Sequence, residues 1–393
     1  MSNLANAHLQ SDQDVAPLLL AAQVLRTDNE ALEAARSLAA NAREHAGKRD
    51  LQRKLPWSLV EEFTRSGLGS LSIAREFGGP QVSFVTLAEV FAIISAADPA
   101  LGQIPQNQVG ILSLIAATAT PAQKEHLFAS VLQGWRIGNA GPERGSKNTL
   151  ELKARITADG DDFVINGQKF YSTGALFAHW IAVKALDDNG KQVMAFVRRG
   201  TPGLRVVDDW SGFGQRTTAS GTVLLNNVRV EAELVVDSSR LNDAPNIQGA
   251  VSQLIQAAID LGIARGAIAD AISFVRERSR PWIDAKVERN SDDPYVIADI
   301  GKLNIELHAA EALLRKAGRV LDEVSAAPID AAGAARASIA VAEAKVLSTE
   351  LSLLASEKLF ELAGSRASLA EFNLDRHWRN ARVHTLHDPV RWK

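Results

Sequence analysis

The feature that most constrains this chain is a change of period in its middle. From about residue 137 to residue 236 the apolar residues fall in short, turn-bounded runs, while long Ala- and Leu-rich stretches flank them on both sides. Residues 152–156 and 162–165 alternate or carry β-branched side chains. Residues 180–185, 193–197, 204–207 and 222–225 are further strand candidates, and Asn166-Gly167 between two runs predicts a hairpin turn. Before this stretch, Ala31, Leu32, Ala35, Leu38 and Ala39 stand at helix spacing, and residues 87–97 and 108–117 read the same way. Phe77-Gly78-Gly79-Pro80 is turn chemistry.

After the strand region, residues 247–278 form one long periodic segment. Val251, Leu254, Ala258 and Leu261 mark one face, with Ile255 and Ile259 beside them. Gly262 and Gly266 share a face that would admit another helix closely. Residues 297–324 and 331–362 predict two more long helices, and wide apolar faces of this kind pack as a four-helix bundle, often across subunits. The expected fold is mainly α with a central β domain: 1–136 helical, 137–246 β, 247–393 a helical bundle. A doubly wound sheet is not expected. Gly67-Leu68-Gly69 runs on to Ser72 where a third glycine is needed, and it sits in a helical region.

The 393 residues carry 43 Lys and Arg against 46 Asp and Glu, a net charge of −3 without the basic excess of a nucleic-acid binder. With no cysteine, disulfides, thiolate metal sites, iron–sulfur clusters and a cysteine nucleophile are excluded. No apolar run approaches the roughly 20 residues of a membrane span, and the polar start is no secretory signal. A cytoplasmic protein without a membrane partner is expected.

Five segments carry candidate chemistry. Leu374-Asp375-Arg376-His377-Trp378-Arg379-Asn380-Ala381-Arg382-Val383-His384-Thr385-Leu386-His387-Asp388 gathers three of the eight histidines and three arginines. It reads either as a solvated helix end or as a partly buried cationic cluster needing an anion such as a cofactor phosphate. His384 and His387 lack the further ligands of a zinc site, so no metal is expected, and acid–base or hydrogen-bonding work suits them better. Gly138-Asn139-Ala140-Gly141-Pro142-Glu143-Arg144-Gly145-Ser146 is an interdomain turn or a loop gripping a polar ring edge or phosphate. Lys169-Phe170-Tyr171-Ser172-Thr173-Gly174 could line a flat ring or be core. The stretch from Asp209 to Gly221 offers Trp210 for stacking and Thr217, Thr218 and Ser220 as hydroxyls. Arg276, Arg278 and Arg280 close a long helix, compensating its dipole or binding phosphate.

In order and spacing these segments resemble the acyl-CoA dehydrogenase superfamily over the whole chain. Gly67-Leu68 with Phe77-Gly78-Gly79, Pro142 with Gly145-Ser146, Lys169 through Gly174, and Asn227-Val228-Arg229-Val230 carry the likeness. The resemblance implies that superfamily's fold: an N-terminal helical domain, a β-barrel or sandwich middle domain and a C-terminal four-helix bundle. Within it, Gln103-Ile104-Pro105-Gln106-Asn107, Asp208-Asp209-Trp210 with Phe213 to Thr218, and Leu374 to Pro389 resemble the flavin-dependent monooxygenase branch, dibenzothiophene-monooxygenase-like and nearest the SfnB-type sulfur-acquisition oxidoreductases.

The implied function is a two-component monooxygenase acting on a small organosulfur compound. It would use reduced FMN from a separate flavin reductase, or FAD, and assemble as a homotetramer. The resemblance implies Asn139, Ser146, Tyr171, Ser172, Thr173, Trp210 and Ser220 at the flavin. It also implies Arg278 and Arg366 at the flavin phosphate, with Arg366 and Gly364 reaching across a subunit interface. His387 is the expected proton-handling group, with His384 one helical step away. Gln108 stands where relatives carry His, and so would hydrogen-bond without titrating. Two alternatives stay open: an FAD-dependent acyl-CoA dehydrogenase with Asp388 as base, and a non-catalytic flavin-binding protein.

Overall fold

The structure, a computed structural model, describes residues 17–145, 151–387 and 390. The first part is helical: α1 (Asp28–Gln52), α2 (Trp57–Arg65), α3 (Phe84–Ala97), α4 (Pro99–Gln103), α5 (Gln106–Thr118) and α6 (Pro121–Leu132). Thr27 starts α1 with a capping box: its hydroxyl accepts from the Glu30 amide, and the Glu30 carboxylate accepts from the Thr27 amide. Leu87, Val90, Phe91 and Ile94 of α3 are all buried, because this helix is wedged between α1 and the C-terminal helices.

Eight strands follow: β1 (Ile137–Ala140), β2 (Arg155–Asp159), β3 (Asp162–Lys169), β4 (Trp180–Leu186), β5 (Gln192–Arg198), β6 (Leu204–Val207), β7 (Thr222–Val230) and β8 (Val235–Val236). They form one sheet in the order β6-β7-β3-β2-β4-β5-β8, with β1 alongside β4 in parallel. β4 and β5 are buried almost throughout and read as continuous apolar runs. β7 and β2 expose part of one face and alternate.

The expected hairpin turn at Asn166-Gly167 is not there. Those residues lie inside β3, at a register shift against β7 between Ile165 and Gly167. The turn comes seven residues earlier, where Gly160 (φ +67°) lets β2 fold back with Asp159 opposite Asp162.

The last part comprises α7 (Gln248–Glu277), α8 (Pro294–Ser325), α9 (Ala331–Ala363) and α10 (Asp375–Thr385). A Cβ on Gly262 would sit 2.6 Å from the Ala92 carbonyl oxygen, and one on Gly266 would sit 2.7 Å from that of Ala96. The helix these glycines admit is α3, so the first and last parts share one apolar core.

Candidate functional site

Three of the segments singled out above meet at one end of the sheet. The Asn139 amide donates to the Thr173 carbonyl (3.1 Å), its side-chain Nδ2 donates to the Tyr171 carbonyl (3.5 Å), and its Oδ1 accepts from the Gly141 amide (3.1 Å). Tyr171 takes a left-handed backbone (φ +57°) at this turn and leaves half its surface exposed. Its ring meets Trp210 edge-on at 6.1 Å. The Ser172 amide donates to the Gly221 carbonyl (3.2 Å), which ties this turn to the stretch after Trp210. Beneath the turn, buried Lys169 donates to Glu143 Oε1 (2.7 Å) and to the Gly141 carbonyl (3.2 Å), bracing the β1 loop against β3.

A chain of hydroxyls runs through the seam. Thr173 Oγ1 and Ser220 Oγ lie 2.7 Å apart, as do Ser220 Oγ and Thr218 Oγ1, and Thr218 Oγ1 donates to the Gln215 carbonyl (3.0 Å). A carbonyl can only accept, and each hydroxyl has one proton. Thr218 therefore spends its proton on Gln215, Ser220 donates to Thr218, and Thr173 donates to Ser220. Thr173 Oγ1 is left with lone pairs and no spare proton. Around this chain, buried Ser172 Oγ and both amide atoms of Gln215 have no hydrogen-bond partner among the described residues. Gln103 Oε1, at the end of α4, is likewise orphaned. That helix end abuts the same turn, since a Cβ on Gly174 would lie 2.7 Å from the Ile104 carbonyl oxygen. Several partnerless buried polar atoms in one neighbourhood are costly unless a ligand answers them.

Helix α10 closes the seam from the other side. Asn380 Oδ1 accepts from the Gln215 amide (2.7 Å), and a Cβ on Gly214 would clash with the Arg379 carbonyl at 1.9 Å, so the loop lies directly on the helix. His377, Asn380 and His384 share this inner face. His377 Nε2 meets Asp270 Oδ2 (2.8 Å), which also accepts from Arg376 (2.6 Å). Burial and the adjacent Arg376 lower the His377 pKa. His384 Nδ1 meets Asp260 Oδ1 (2.5 Å), and Asp260 Oδ2 accepts from Lys345 Nζ (2.6 Å) and Thr349 Oγ1 (2.7 Å). Burial pushes the Asp260 pKa up, but Lys345 and then His384 outweigh it and hold the carboxyl well below the usual range. His387 lies just past the helix at the surface, its amide donating to the His384 carbonyl (3.1 Å).

The remaining expected residues are placed differently. Gln108 makes one backbone hydrogen bond at each end of its amide. Its Oε1 accepts from the Ile137 amide (2.8 Å) and its Nε2 donates to the Gly69 carbonyl (2.7 Å), so it ties α5 to β1 and to the loop after α2. It lines an interior cavity of about 30 Å³ with Thr64, Ser70 and Arg136, space for about one water. Arg278 and Arg366 stand together over the Phe372 ring, 5.3 and 5.7 Å from its centroid, with Gly364 nearby at the end of α9. Both arginines are exposed, and neither has a carboxylate partner among the described residues. Ser146 and Asp388 lie outside the described residues. Reading the sequence did not single out Gln103, Gln215, Asn380 or Asp260 as site residues. Asp260 had a signal, a lone carboxylate in the apolar run Ile255 to Ile263.

Models of the acyl-CoA dehydrogenase N-terminal, middle and C-terminal domains match residues 27–135, 138–228 and 254–392. The chain is 32% identical over 385 residues to the dibenzothiophene monooxygenase of Rhodococcus erythropolis, covering 93% of this chain and 91% of that one. It is 30% identical to the "probable FMNH2-dependent monooxygenase SfnC" of Pseudomonas putida, covering 92% of each. Its fold superposes on TdsC of Paenibacillus sp. A11-2, solved with FMN and indole, with a TM-score of 0.87, 32% identity and coverage of 93% and 94%. Three domain models in chain order and relatives this similar over nine-tenths of their length show that the chain belongs to the acyl-CoA dehydrogenase family, on its flavin-dependent monooxygenase side.

Proposed function

We propose that the chain is a two-component monooxygenase that uses reduced FMN to oxidise a small organosulfur compound. The observation that carries this reading is the hydroxyl chain ending in an acceptor-only Thr173, set among the orphaned Ser172 and Gln215 groups. A reduced flavin ring presents both N–H donors and carbonyl acceptors, so this donor and acceptor set fits it. The named functions of the relatives above point the same way. FMN, when bound and reduced, supplies the two electrons that let one atom of O2 enter the substrate while the other leaves as water.

The protein's own part is to hold and to exclude. Asn139, Ser172, Thr173 and Ser220 hold the polar edge of the ring, and Tyr171 and Trp210 flank it. His384 and His387 manage protons where α10 ends. Arg278 and Arg366 hold the flavin phosphate, with Arg366 and Gly364 reaching a flavin bound by a second copy of the chain. Two exposed cations without carboxylates suit a phosphate dianion. Assembly as a tetramer is supported by apolar side chains left bare on the bundle: Tyr295 is 82% exposed, Ile305 71% and Ile339 61%. A separate reductase as the source of reduced FMN is supported by the glycine pair at Gly67 and Gly69. It caps and occupies a short 3-10 turn after α2, not a strand-to-helix phosphate loop. A cytoplasmic location is supported by the described helices, none of which is long and apolar enough to cross a membrane.

The test is an oxygen electrode with FMN, a flavin reductase and NADH, run against alkyl sulfides, sulfones and sulfinates. Oxygen uptake coupled to an oxidised sulfur product is expected. Failure on every sulfur compound, together with bleaching of bound flavin by a CoA thioester, would contradict the proposal.

A further inference from the structure

His384 belongs to a buried cluster in the bundle whose other members, Asp260, Lys345 and Thr349, have no role in the function proposed above. Asp260 on α7 is wholly shut off from solvent, as is Lys345 on α9, and His384 on α10 is 1% exposed. Three donors from two helices, α9 and α10, converge on this one carboxylate of α7: Nδ1 of His384 on Oδ1, and Nζ of Lys345 and Oγ1 of Thr349 on Oδ2. A buried pair of this kind contributes little net stability, because desolvation offsets the attraction. An apolar core would hold three helices at least as well, so the cluster calls for another role.

The geometry points to that role, and we propose that Asp260 is a positioning residue for His384. Anchored by Lys345 and Thr349, the carboxylate accepts a proton-bearing Nδ1 and so fixes the imidazole ring and its tautomer, leaving Nε2 as the working nitrogen. Three observations support this. Nε2 of His384 has no hydrogen-bond partner among the described residues, whereas Nδ1 is held at 2.5 Å. Asn380, one turn earlier on the same face, carries the backbone of Gln215, so this face of α10 is turned toward the orphaned amide in the seam. The next turn of chain also delivers His387, whose amide hangs from the His384 carbonyl. With His384 neutral, the cluster sums to zero, Lys345 against Asp260. A proton arriving at Nε2 would then create an imidazolium already facing its counter-charge, the arrangement that makes a carboxylate-oriented histidine an effective proton carrier. The charged groups facing the imidazole within the cluster are Asp260 from α7 and Lys345 from α9. The proposal rests on the monooxygenase reading only for what the proton is used for.

The same two helices provide a control. His377 and Asp270 also join α10 to α7, two helical turns away, but Asp270 is partly open to solvent and shared with Arg376. That pair reads as a clamp.

The first measurement is solid-state NMR on protein labelled with 15N-histidine, with the His384 signal assigned by its absence in His384→Gln. The expected wild-type signal is an Nδ1–H tautomer, lost in Asp260→Asn. Asp260→Asn leaves Lys345 charged and unpaired, so it is paired with the double variant Asp260→Asn/Lys345→Met, which removes both charges and should keep near wild-type stability in urea denaturation. In that double variant, product formed per reduced FMN should fall about tenfold or more, with FMN affinity changed by no more than about twofold. Asp270→Asn should lower the melting temperature and leave product yield and its pH profile in place. A wild-type Nε2–H tautomer would overturn the proposal. So would a folded double variant with wild-type product yield and pH profile. Should the wild-type protein oxidise no sulfur compound at all, the proposed function fails, and the NMR tautomer still decides the role of Asp260.

Discussion

The seam beside the sheet and the core of the bundle both hold buried polar groups, and they differ in kind: the bundle pairs its buried charges within the chain, although neutral Gln256 Oε1 and Ser348 Oγ lack partners there, while the seam gathers unpartnered neutral groups in one place. In the bundle Asp260 is answered by Lys345, Thr349 and His384, and the partly exposed Asp270 by Arg376 and His377. In the seam the side-chain amide of Gln215 and the hydroxyl of Ser172 are answered by nothing in the described chain. Three glutamines make the contrast sharp. Gln108 has both ends satisfied by backbone and acts as scaffold, whereas Gln215 has neither end satisfied and Gln103 lacks a partner for its oxygen. Residue type alone does not distinguish these amides; hydrogen-bond completion does.

The largest effect expected from breaking this contrast lies in the bundle. Asp260→Ala strands the Lys345 ammonium in a site without solvent and should cost about 3–5 kcal/mol in urea denaturation. Adding Lys345→Met should recover much of that loss. A single variant as stable as wild type would show that Lys345 sheds its charge or finds another partner.

Next comes a pH effect from a satisfied imidazole elsewhere. His179 accepts the Arg136 amide at Nδ1, and burial, with Arg136 beside it, pushes its pKa down to about 4. The unfolded chain binds this proton below about pH 6.5 and the folded chain does not, so stability is complete above that pH and declines as pH falls toward 4. The decline should total at most about 3 kcal/mol, and His179→Gln should flatten the melting-temperature profile over that interval. An unchanged slope in the variant would assign the acid sensitivity to the carboxylates.

Gln108→Ala tests the scaffold glutamine. It orphans the Ile137 amide and the Gly69 carbonyl, and should cost about 1–3 kcal/mol while FMN affinity stays within about threefold. A large loss of flavin binding at unchanged stability would move Gln108 into the site.

The smallest free-energy changes belong to the ligand side. Gln215→Leu and Arg278→Ala should each weaken FMN binding about tenfold in a fluorescence titration. Gln215→Leu should match or exceed wild-type stability, because it removes two buried atoms that have no partner in the free protein. Destabilisation by Gln215→Leu would mean that the amide is already satisfied.

Much of this fold is legible in the sequence because its long elements have a clear period. The stretch at 247–278 is α7, and 331–362 is α9 to within a residue. The Gly262 and Gly266 face was readable too, although not which helix it would meet. Asn166-Gly167 misleads because two turn-like dipeptides lie seven residues apart. Asp159-Gly160 makes the turn, while the Asn-Gly pair is absorbed as a register shift. The aromatic and hydroxyl loops announced themselves, since Gly, Ser and Thr at that density suit neither a plain strand nor a helix. The Asp260 cluster did not, because its members lie 85 and 124 residues apart and each stands alone in its own helix. The state of Gln108 was equally hidden, since nothing local shows which backbone groups a glutamine will reach.

The central claim is that the unanswered groups of the seam are the flavin's partners, and a crystal structure with FMN bound tests it most directly. The account predicts the ring beside Trp210 and Thr173, with hydrogen bonds from its polar edge to at least one of Ser172 and Gln215, and with the Gln108 contacts to Ile137 and Gly69 unchanged. A ring bound away from Trp210 and Thr173, with Ser172 and Gln215 still unpartnered, would contradict it.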